Sequence, residues 1–442
     1  MRAASASVAV VAGLWALSPL LAAETPPPKT VAFVGATVID GSGGAALPNA
    51  TVLVRGERII AVQRGPHPAP PADAEVVALA GRYLIPGLIN THVHLATLAR
   101  PAEARAYLRR ELYSGVTAVR DMAGDVRLLS ELKREALFDE IPAPDIYYAA
   151  LMAGAEFFVD ERTHDAARGL TPGEAPWMRA VTASTDLPRA IAEARGTGAT
   201  AIKIYADLPA PLVAAITAEA HRQKMLVWAH AAVFPATPLE VAAAGVDVMS
   251  HATLIGYQLS DPMPPSYAAR TPLSAKAGEP SPPLDAVLSL MQHRGILLDA
   301  TVDVFYRFPG KRWPPQLGAA ITREAHRLGV AICAGTDDDA DWNDPDSALD
   351  TEITRLARDA GLTPMEALVA ATRNGARAVG EEPAMGTIAP GKLANFVILE
   401  RDPLADIGNI RSVLTVVKHG VQYPRSAYHP VSAEELKGTA SP

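Results

Sequence analysis

The sequence predicts an α/β protein in which a (β/α)8 TIM barrel is joined to a small β-sandwich domain built from both chain ends. Between residues 87 and about 380, short apolar runs alternate with helical patterns rich in Ala, Leu, Glu and Arg, and repeated β-α units of this kind form parallel sheets. Runs with strand character flank this region on both sides. A length of 442 residues accommodates one barrel, commonly about 250 residues, and a small accessory domain.

Composition and charge point to a small-molecule partner. Hydrophobic residues make up 49% of the chain and charged residues 20%, which is typical of a globular protein. The net charge is −8 and Lys and Arg do not cluster, which argues against nucleic acid because its binding needs a basic surface. The single cysteine, Cys333, excludes an internal disulfide and is compatible with an oxidising compartment. The oligomeric state stays open, and a homo-oligomer is compatible with the sequence.

The N-terminal segment is typical of a signal peptide. Arg2 precedes an uncharged apolar stretch, residues 3–23, and the first acidic residue is Glu24. We predict a signal peptide over residues 1–23 and an exported protein, periplasmic or secreted, with no stable membrane span after cleavage. The alternative is an uncleaved anchor, since the stretch is just long enough to cross a bilayer; Pro19 favours the signal peptide.

Two regions of short strands bracket the barrel. The first, residues 24–86, has strand patterns at 31–39, 50–54, 59–62 and 76–79. The apolar run at 83–89, which crosses its end, is interpreted as a strand fed by a Pro-Gly turn. The second, residues 383–442, has strand patterns at 394–399 and 413–419. Neither region has enough strands for a stable sheet, so we expect the two to pair in space.

The barrel itself is predicted over residues 87–382. Strand-like runs at 118–120, 201–205, 225–230, 246–251, 296–300 and 331–337 support it, as does a helix at 102–113. A doubly wound open sheet is the alternative, but no Gly-x-Gly-x-x-Gly follows an early strand. Two long loops, 154–179 and 258–283, follow strands and are therefore candidates for lids or specificity loops over the carboxyl face of the barrel. The alternative is that they are solvent-exposed decoration.

A set of polar residues ends these apolar runs. His92 and His94 lie two residues apart on a predicted strand, so both imidazoles point to the same face. The same placement at other strand ends is shared by Lys203, His230, His251 and Asp337. Nitrogen and carboxylate ligands without a thiolate suit catalytic zinc, although manganese, iron or cobalt could use them.

Lys203 is the unusual member of this set. A protonated lysine facing four imidazoles and a metal would be repelled, so it must be deprotonated or converted to an anion by reaction with carbon dioxide. A lysine carbamate offers two oxygens and could bridge two metal ions.

The chain resembles the amidohydrolase superfamily over essentially all of its mature length. The resemblance rests on residues 86–94, 115–121, 202–204, 250–251, 335–337 and 386–397, together with His230. It implies a binuclear site with His92, His94 and Asp337 on one metal ion, His230 and His251 on the other, and carboxylated Lys203 and a hydroxide bridging both. The chain looks most like the prolidase and imidazolonepropionase-like members.

The resemblance implies a metal-dependent hydrolase of an amide bond, in a dipeptide or an N-acyl amino acid, with Asp337 moving the proton from the attacking water to the leaving nitrogen. The alternative is a cyclic amide hydrolase or deaminase. Imidazolonepropionases and mononuclear deaminases lack the strand-four lysine, and deaminases place a glutamate shortly after the strand-five histidine, whereas here no acid follows His230 before Glu240. Retention of all six ligand positions disfavours a non-catalytic binding protein.

Several further residues have two interpretations each. Tyr205, Tyr257 and His164 are candidate substrate contacts, against the alternative of ordinary packing or surface positions. Arg120 and Asp121 end a strand and could touch substrate, but we expect them to form a structural ion pair beside the mouth of the barrel. In the acidic run 337–341, the carboxylates other than Asp337 are expected to be solvated loop charges.

Overall fold

The computed structural model describes residues 29–65, 69–98, 100–307, 313–339 and 344–438. The segment predicted as a signal peptide, residues 1–23, lies outside these ranges, so export stays a prediction. Within these ranges, no helix combines the length and the apolar character needed to cross a bilayer.

The strands of the described residues, in chain order, are β1 Thr30–Val38, β2 Leu47–Arg55, β3 Arg58–Arg64, β4 Glu75–Ala78, β5 Tyr83–Pro86, β6 Leu88–His94, β7 Val116–Asp121, β8 Asp145–Ala153, β9 Glu174–Ala175, β10 Met178–Ala180, β11 Ala201–Ile204, β12 Leu226–His230, β13 Val248–Ser250, β14 Leu297–Asp299, β15 Ile332–Cys333, β16 Asp338–Asp339, β17 Phe396–Leu399, β18 Val413–Lys418 and β19 Val421–Pro424.

The α-helices are α1 Pro101–Tyr113, α2 Val126–Leu137, α3 Glu161–Ala166, α4 Leu187–Gly196, α5 Ala210–Arg222, α6 Pro238–Ala243, α7 Ala252–Ile255, α8 Pro282–Arg294, α9 Val302–Arg307, α10 Leu317–Arg327, α11 Ala348–Arg358, α12 Pro364–Ala370, α13 Arg373–Ala378 and α14 Ala433–Gly438. Short 3-10 helices lie at Ala155–Val159, Gly256–Leu259, Ala275–Gly278, Ile407–Arg411 and Arg425–Ala427.

Both chain ends contribute to one mixed β-sheet, as the sequence predicted. Its strand order is β19-β18-β17-β5-β1-β2-β3, with β4 paired to β1. The ends meet where β17 runs antiparallel to β5. In the core of this sheet the rings of Phe33 and Phe396 pack edge to face with their centroids 5.0 Å apart, a geometry that aromatic pairs prefer.

The middle of the chain forms the predicted parallel barrel. Its strands follow one another in the order β6, β7, β8, β11, β12, β13, β14 and β15. The barrel closes where the eighth strand region returns to the first: the Thr91 amide donates to the Ala334 carbonyl at 3.0 Å, and β16 pairs in parallel with β6. Most barrel strands are buried along their whole length, which explains their continuous apolar runs.

The interpretation of residues 83–89 as one strand is wrong. β5 belongs to the mixed sheet and β6 to the barrel, and Gly87 separates them. The Gly87 amide donates to the Asn395 carbonyl at 2.9 Å, which ties the junction to the C-terminal region. A Cβ atom on Gly87 would lie 2.8 Å from Cβ of Thr117, so the close approach of β7 requires a glycine there.

This close approach makes a stability prediction. We expect Gly87→Ala to destabilise the protein by about 1–3 kcal/mol, because the added methyl group overpacks the junction, and the thermal unfolding midpoint should fall. The control is Gly196→Ala at the end of α4, where a Cβ atom meets nothing within 4 Å and the midpoint should not fall. Equal midpoints for the Gly87 variant and the wild type would contradict the steric argument.

Candidate active site

The six candidate ligands lie at the carboxyl ends of their strands or in the residues that follow: His92 and His94 on β6, Lys203 on β11, His230 on β12, His251 after β13, and Asp337 between β15 and β16. One cavity of about 250 Å³ is lined by five of them: His92, His94, His230, His251 and Asp337. Lys203 is completely buried, with its Nζ 5.8 Å from the ring centroid of Tyr205, which also lines the cavity. The barrel therefore brings together all six positions.

His92, His94 and Asp337 form a compact donor group. One donor atom from each lies within 4.8 Å of the others. Oδ1 of Asp337 is 3.0 Å from Nε2 of His94 and 3.4 Å from Nε2 of His92. Two imidazoles and a carboxylate at this spacing could hold a divalent cation.

The second pair of histidines, His230 and His251, adjoins His92. The rings of His92 and His251 are 4.8 Å apart between centroids, and the rings of His251 and His230 are also 4.8 Å apart. Nδ1 of His251 lies 3.8 Å from Oδ2 of Asp337 and 2.9 Å from Oγ1 of Thr301. Nδ1 of His230 is buried without a hydrogen-bond partner among the described residues, so it has donor capacity left for a ligand.

Burial and charge set the ionisation of the site. Burial disfavours the charged form of Asp337, but the imidazoles of His92, His94 and His251 outweigh it and hold the pKa of that carboxyl well below its usual value. For Lys203, burial and then the positive charge of Arg120 lower the pKa to about 7. Nζ of Lys203 has no hydrogen-bond partner within the described parts of the chain. A buried amine in this state is partly neutral near pH 7 and can act as a nucleophile.

Asp299 is one of the residues at this site that the sequence did not single out. It ends β14 and is completely buried. Its Oδ2 lies 2.7 Å from Nδ1 of His92 and accepts a hydrogen bond from Nη2 of Arg120 at 2.9 Å, while Oδ1 accepts from Thr91 Oγ1 at 2.8 Å. A carboxylate on Nδ1 orients the imidazole so that Nε2 is presented to the cavity. The available signal was an acidic residue closing the apolar run 296–300, the same pattern that singled out Asp337.

The expected ion pair between Arg120 and Asp121 is not formed. Adjacent residues on a strand point to opposite faces, and Arg120 reaches Asp299 instead. Asp121 accepts backbone hydrogen bonds from Leu95 and Ala123 at 2.6 and 3.0 Å. Arg120 is structural, as expected, but its guanidinium lies inside the barrel, 4.6 Å from the ring of Trp228.

Two candidate ligands have left-handed backbone conformations. The φ angle is 70° at His251 and 50° at Asp337, a region that costs a non-glycine residue roughly 1–2 kcal/mol. Backbone hydrogen bonds hold both: the amide of His251 donates to the backbone carbonyl of Asp299 at 2.9 Å, and the amide of Asp337 donates to the backbone carbonyl of His92 at 3.0 Å. Strain of this kind is retained at functional sites where the surroundings over-determine it.

Of the three candidate substrate contacts, the structure places one at the cavity. Tyr205 lines it, with its ring centroid 4.0 Å from that of His230. Tyr257 is buried beside it, donates from its hydroxyl to the Thr271 carbonyl at 2.8 Å and accepts from Trp313 Nε1 at 3.2 Å. His164 is exposed on α3, outside the cavity lining.

The two long loops supply part of the cavity wall. Loop 154–179 contributes Arg162, and loop 258–283 contributes Tyr267 and Arg270. The guanidinium of Arg162 is held by Asp160, which accepts from Nε at 3.0 Å and from Nη2 at 2.8 Å. Arg162 lies on the short helix α3 within its loop, and Tyr267 and Arg270 lie in irregular backbone. A helix of one or two turns is too short to show a periodic pattern, so no periodicity in the sequence pointed to these residues.

Asp338 corrects the expectation that the carboxylates after Asp337 are solvated. It is 3% exposed and accepts from Arg307 Nη1 at 2.8 Å and from Arg110 Nη2 at 3.3 Å. Both arginines come from distant parts of the chain, which is why the local sequence gave no sign of them.

Comparisons with known proteins agree with this geometry. Residues 83–422 match the Amidohydrolase family. Imidazolonepropionase of Streptomyces avermitilis is 27% identical over 386 residues, 81% of this chain and 83% of that protein. Imidazolonepropionase of Aeromonas salmonicida is 32% identical over 111 residues, only 25% of either chain. Thus one of these two matches spans most of the relative and the other spans a quarter of it.

Solved structures share the fold. A Xaa-Pro dipeptidase with methionine bound in its active site superposes with a TM-score of 0.70 at 20% identity, covering 90% of this chain and 100% of the other. Ochratoxinase of A. niger gives a TM-score of 0.70 at 20% identity, covering 91% and 98%. The family match covers most of the chain, and the chain therefore belongs to the amidohydrolase family, as an enzyme that hydrolyses carbon–nitrogen bonds.

Proposed function

We propose that this protein is a binuclear metal-dependent hydrolase that cleaves the amide bond of a dipeptide or an N-acyl amino acid. The observation that carries the proposal is the set of six potential ligands around one cavity, with the Nζ of Lys203 buried and without a partner among the described residues. Export through residues 1–23 is part of the proposal and rests on the sequence alone.

The donor set fits two divalent cations. His92, His94 and Asp337 would hold one ion, and His230 and His251 the other. Carbon dioxide would react with the neutral amine of Lys203 to form a carbamate with release of one proton, and the two carbamate oxygens would serve both ions. Imidazole and carboxylate donors without sulfur favour zinc in this role.

The residues of the chain supply the proton transfers. Bound cations would lower the pKa of a water molecule and polarise the scissile carbonyl. Asp337 would accept the proton of the attacking water, and it would pass this proton to the leaving nitrogen, which departs poorly unless protonated. The low pKa of Asp337 keeps this carboxyl group ionised.

The cavity favours a substrate that carries both a carboxylate and an apolar group. Its lining includes the guanidinium groups of Arg162 and Arg270 and the aromatic rings of Phe305 and Trp313. Asp160 engages Nε and Nη2 of Arg162, so Nη1 is left to meet a substrate carboxylate. A terminal carboxylate next to the scissile amide is what a dipeptide and an N-acyl amino acid share.

A cyclic amide hydrolase or deaminase is the second candidate. It is favoured by the similarity to an imidazolonepropionase over 81% of this chain. Against it are Lys203 and the sequence after His230, where residues 231–239 contain no acid.

Metal content tests the two candidates against each other. Protein supplied with zinc and bicarbonate should hold two metal ions per chain, measured by elemental analysis, and native mass spectrometry should find one carbon dioxide adduct. Lys203→Met should lose the adduct and at least one ion. The control Lys392→Met removes an amine that donates to the carbonyls of Glu382 and Met385, and should keep both ions. One ion per wild-type chain would support the second candidate, and none in folded protein would indicate a binding protein.

The role of Asp337 predicts a separation of metal binding from turnover. We expect Asp337→Asn to retain metal but to lose at least about 100-fold in kcat, the lower end of what positioned acid–base groups contribute. Steady-state kinetics with the same metal content measured in parallel provide the check. Asp165→Asn, at an exposed position on α3, is the control, and full turnover by the Asp337 variant would contradict the proposed role.

The role of Arg162 predicts an effect on substrate binding. We expect Arg162→Gln to raise KM for an N-acyl amino acid about 10- to 100-fold with little change in kcat, because a hydrogen bond to a charged group contributes about 1.5–3 kcal/mol. With the wild type, KM for the corresponding N-acyl amino acid amide, which lacks the carboxylate, should exceed KM for the acid by the same factor. With Arg162→Gln, the acid and the amide should have similar KM values. Arg189→Gln, whose guanidinium pairs with Glu193 on α4, is the control. A variant that still discriminates acid from amide would refute the assignment.

A further inference from the structure

One short segment touches two of the candidate ligands and both chain neighbours of a third, without supplying a ligand itself. This positioning segment, residues 299–307, comprises the end of β14 and all of α9. Asp299 lies 2.7 Å from Nδ1 of His92, and Thr301 Oγ1 lies 2.9 Å from Nδ1 of His251. Its last residue, Arg307, acts on the third ligand through that ligand's chain neighbours.

Arg307 spans Asp337. Its Nη2 donates to the carbonyl of Thr336 at 3.0 Å, and its Nη1 donates to Oδ1 of Asp338 at 2.8 Å. Its Nε donates to Oδ2 of Asp303, one turn earlier on α9, at 2.8 Å. The guanidinium group is planar and rigid, so these three hydrogen bonds fix the residues on both sides of Asp337 relative to α9.

Asp337 needs such a restraint because its backbone is strained. With φ at 50°, relaxation toward an ordinary conformation would swing the side chain away from His92 and His94. The carbonyl of Thr336 and the carboxylate of Asp338 are the two groups that would rotate in that relaxation, and Arg307 holds both. Arg110 holds the other oxygen of Asp338 at 3.3 Å, which leaves the turn little freedom.

The same helix also meets the substrate cavity. Val304 and Phe305 of α9 line it, and the ring of Phe305 is 6.3 Å from that of His251 between centroids. A substrate that packs on Phe305 therefore contacts the helix whose last residue restrains Asp337.

We propose that Arg307 is a positioning residue that holds the carboxylate of Asp337 in register with His92 and His94 by restraining residues 336 and 338. The inference rests on the proposed function, because that function gives Asp337 its role as ligand and proton carrier. Positioning groups of this kind affect metal affinity or activity by about 10- to 100-fold.

The chain offers a closely matched control in Arg355. Its Nε donates to the other oxygen of Asp303, Oδ1, at 2.6 Å, and its side chain is 27% exposed against 28% for Arg307. Its remaining ion pair is with Asp359. Removal of either arginine breaks one ion pair to Asp303, but only removal of Arg307 releases residues 336 and 338.

The test compares Arg307→Ala and Arg355→Ala, both loaded with cobalt in place of zinc. We expect the thermal midpoints of the two variants to fall by similar amounts. Only Arg307→Ala should change the visible absorption of the bound cobalt. Only this variant should also lose about 10- to 100-fold in kcat, with KM staying within a few-fold of the wild-type value. Because Arg307 is partly exposed, added guanidinium ion should partly restore both the spectrum and kcat of Arg307→Ala, and Arg307→Lys should fall between the wild type and Arg307→Ala.

A cobalt spectrum of Arg307→Ala identical to that of Arg355→Ala, or equal losses of kcat in the two variants, would overturn the positioning role and leave Arg307 as a structural residue. If the wild type binds cobalt but hydrolyses neither dipeptides nor N-acyl amino acids, the proposed substrate fails while the spectral comparison still decides the inference. If the folded wild type binds no cobalt, the proposed function fails and the inference fails with it.

Discussion

The arrangement of the candidate site depends on the buried carboxylate of Asp299. It is shared by Arg120, His92 and Thr91, and these partners come from two adjacent strands of the barrel, β6 and β7. Three hydrogen bonds and the charge of Arg120 stabilise the ionised form, and the pKa of Asp299 is held well below its usual value despite complete burial. An anion fixed in this way orients the imidazole of His92 toward the cavity. It also offsets the positive charge of Arg120, which acts on the amine of Lys203. Without it, an arginine and a lysine would lie close together in a dry interior, which is strongly unfavourable.

Much of the fold and of the candidate site was predictable because a barrel imposes a simple rule on the sequence. Buried parallel strands must be apolar, so a polar residue such as His230 or Asp337 that ends such a run stands out, and the fold then collects these ends at one face. The mixed sheet was predictable for a related reason, since neither end of the chain had enough strands to be stable alone.

What was not predictable depends on partners that are distant in sequence. Asp338 was expected in solvent because a run of acids is ordinarily exposed, yet Arg110 and Arg307 make its burial tolerable. Arg120 was expected to pair with its neighbour Asp121, but strand geometry sends the two side chains to opposite faces. Arg162 lies on the six-residue helix α3 and Arg270 in irregular backbone, both within long connections that show no periodicity, so only the folded chain reveals that they reach the cavity.

The pairing of β5 with β17 has a consequence for how the molecule is assembled. Nearly the whole barrel lies between these two strands in the chain, so their contact is among the most non-local in the protein. During synthesis β5 must wait, unpaired on that edge, until the barrel has been made and β17 has followed it. The order of folding events is thereby constrained. The barrel can begin to form from neighbouring β-α units, whereas the mixed sheet can be completed only after β17 and the strands that follow it have been synthesised.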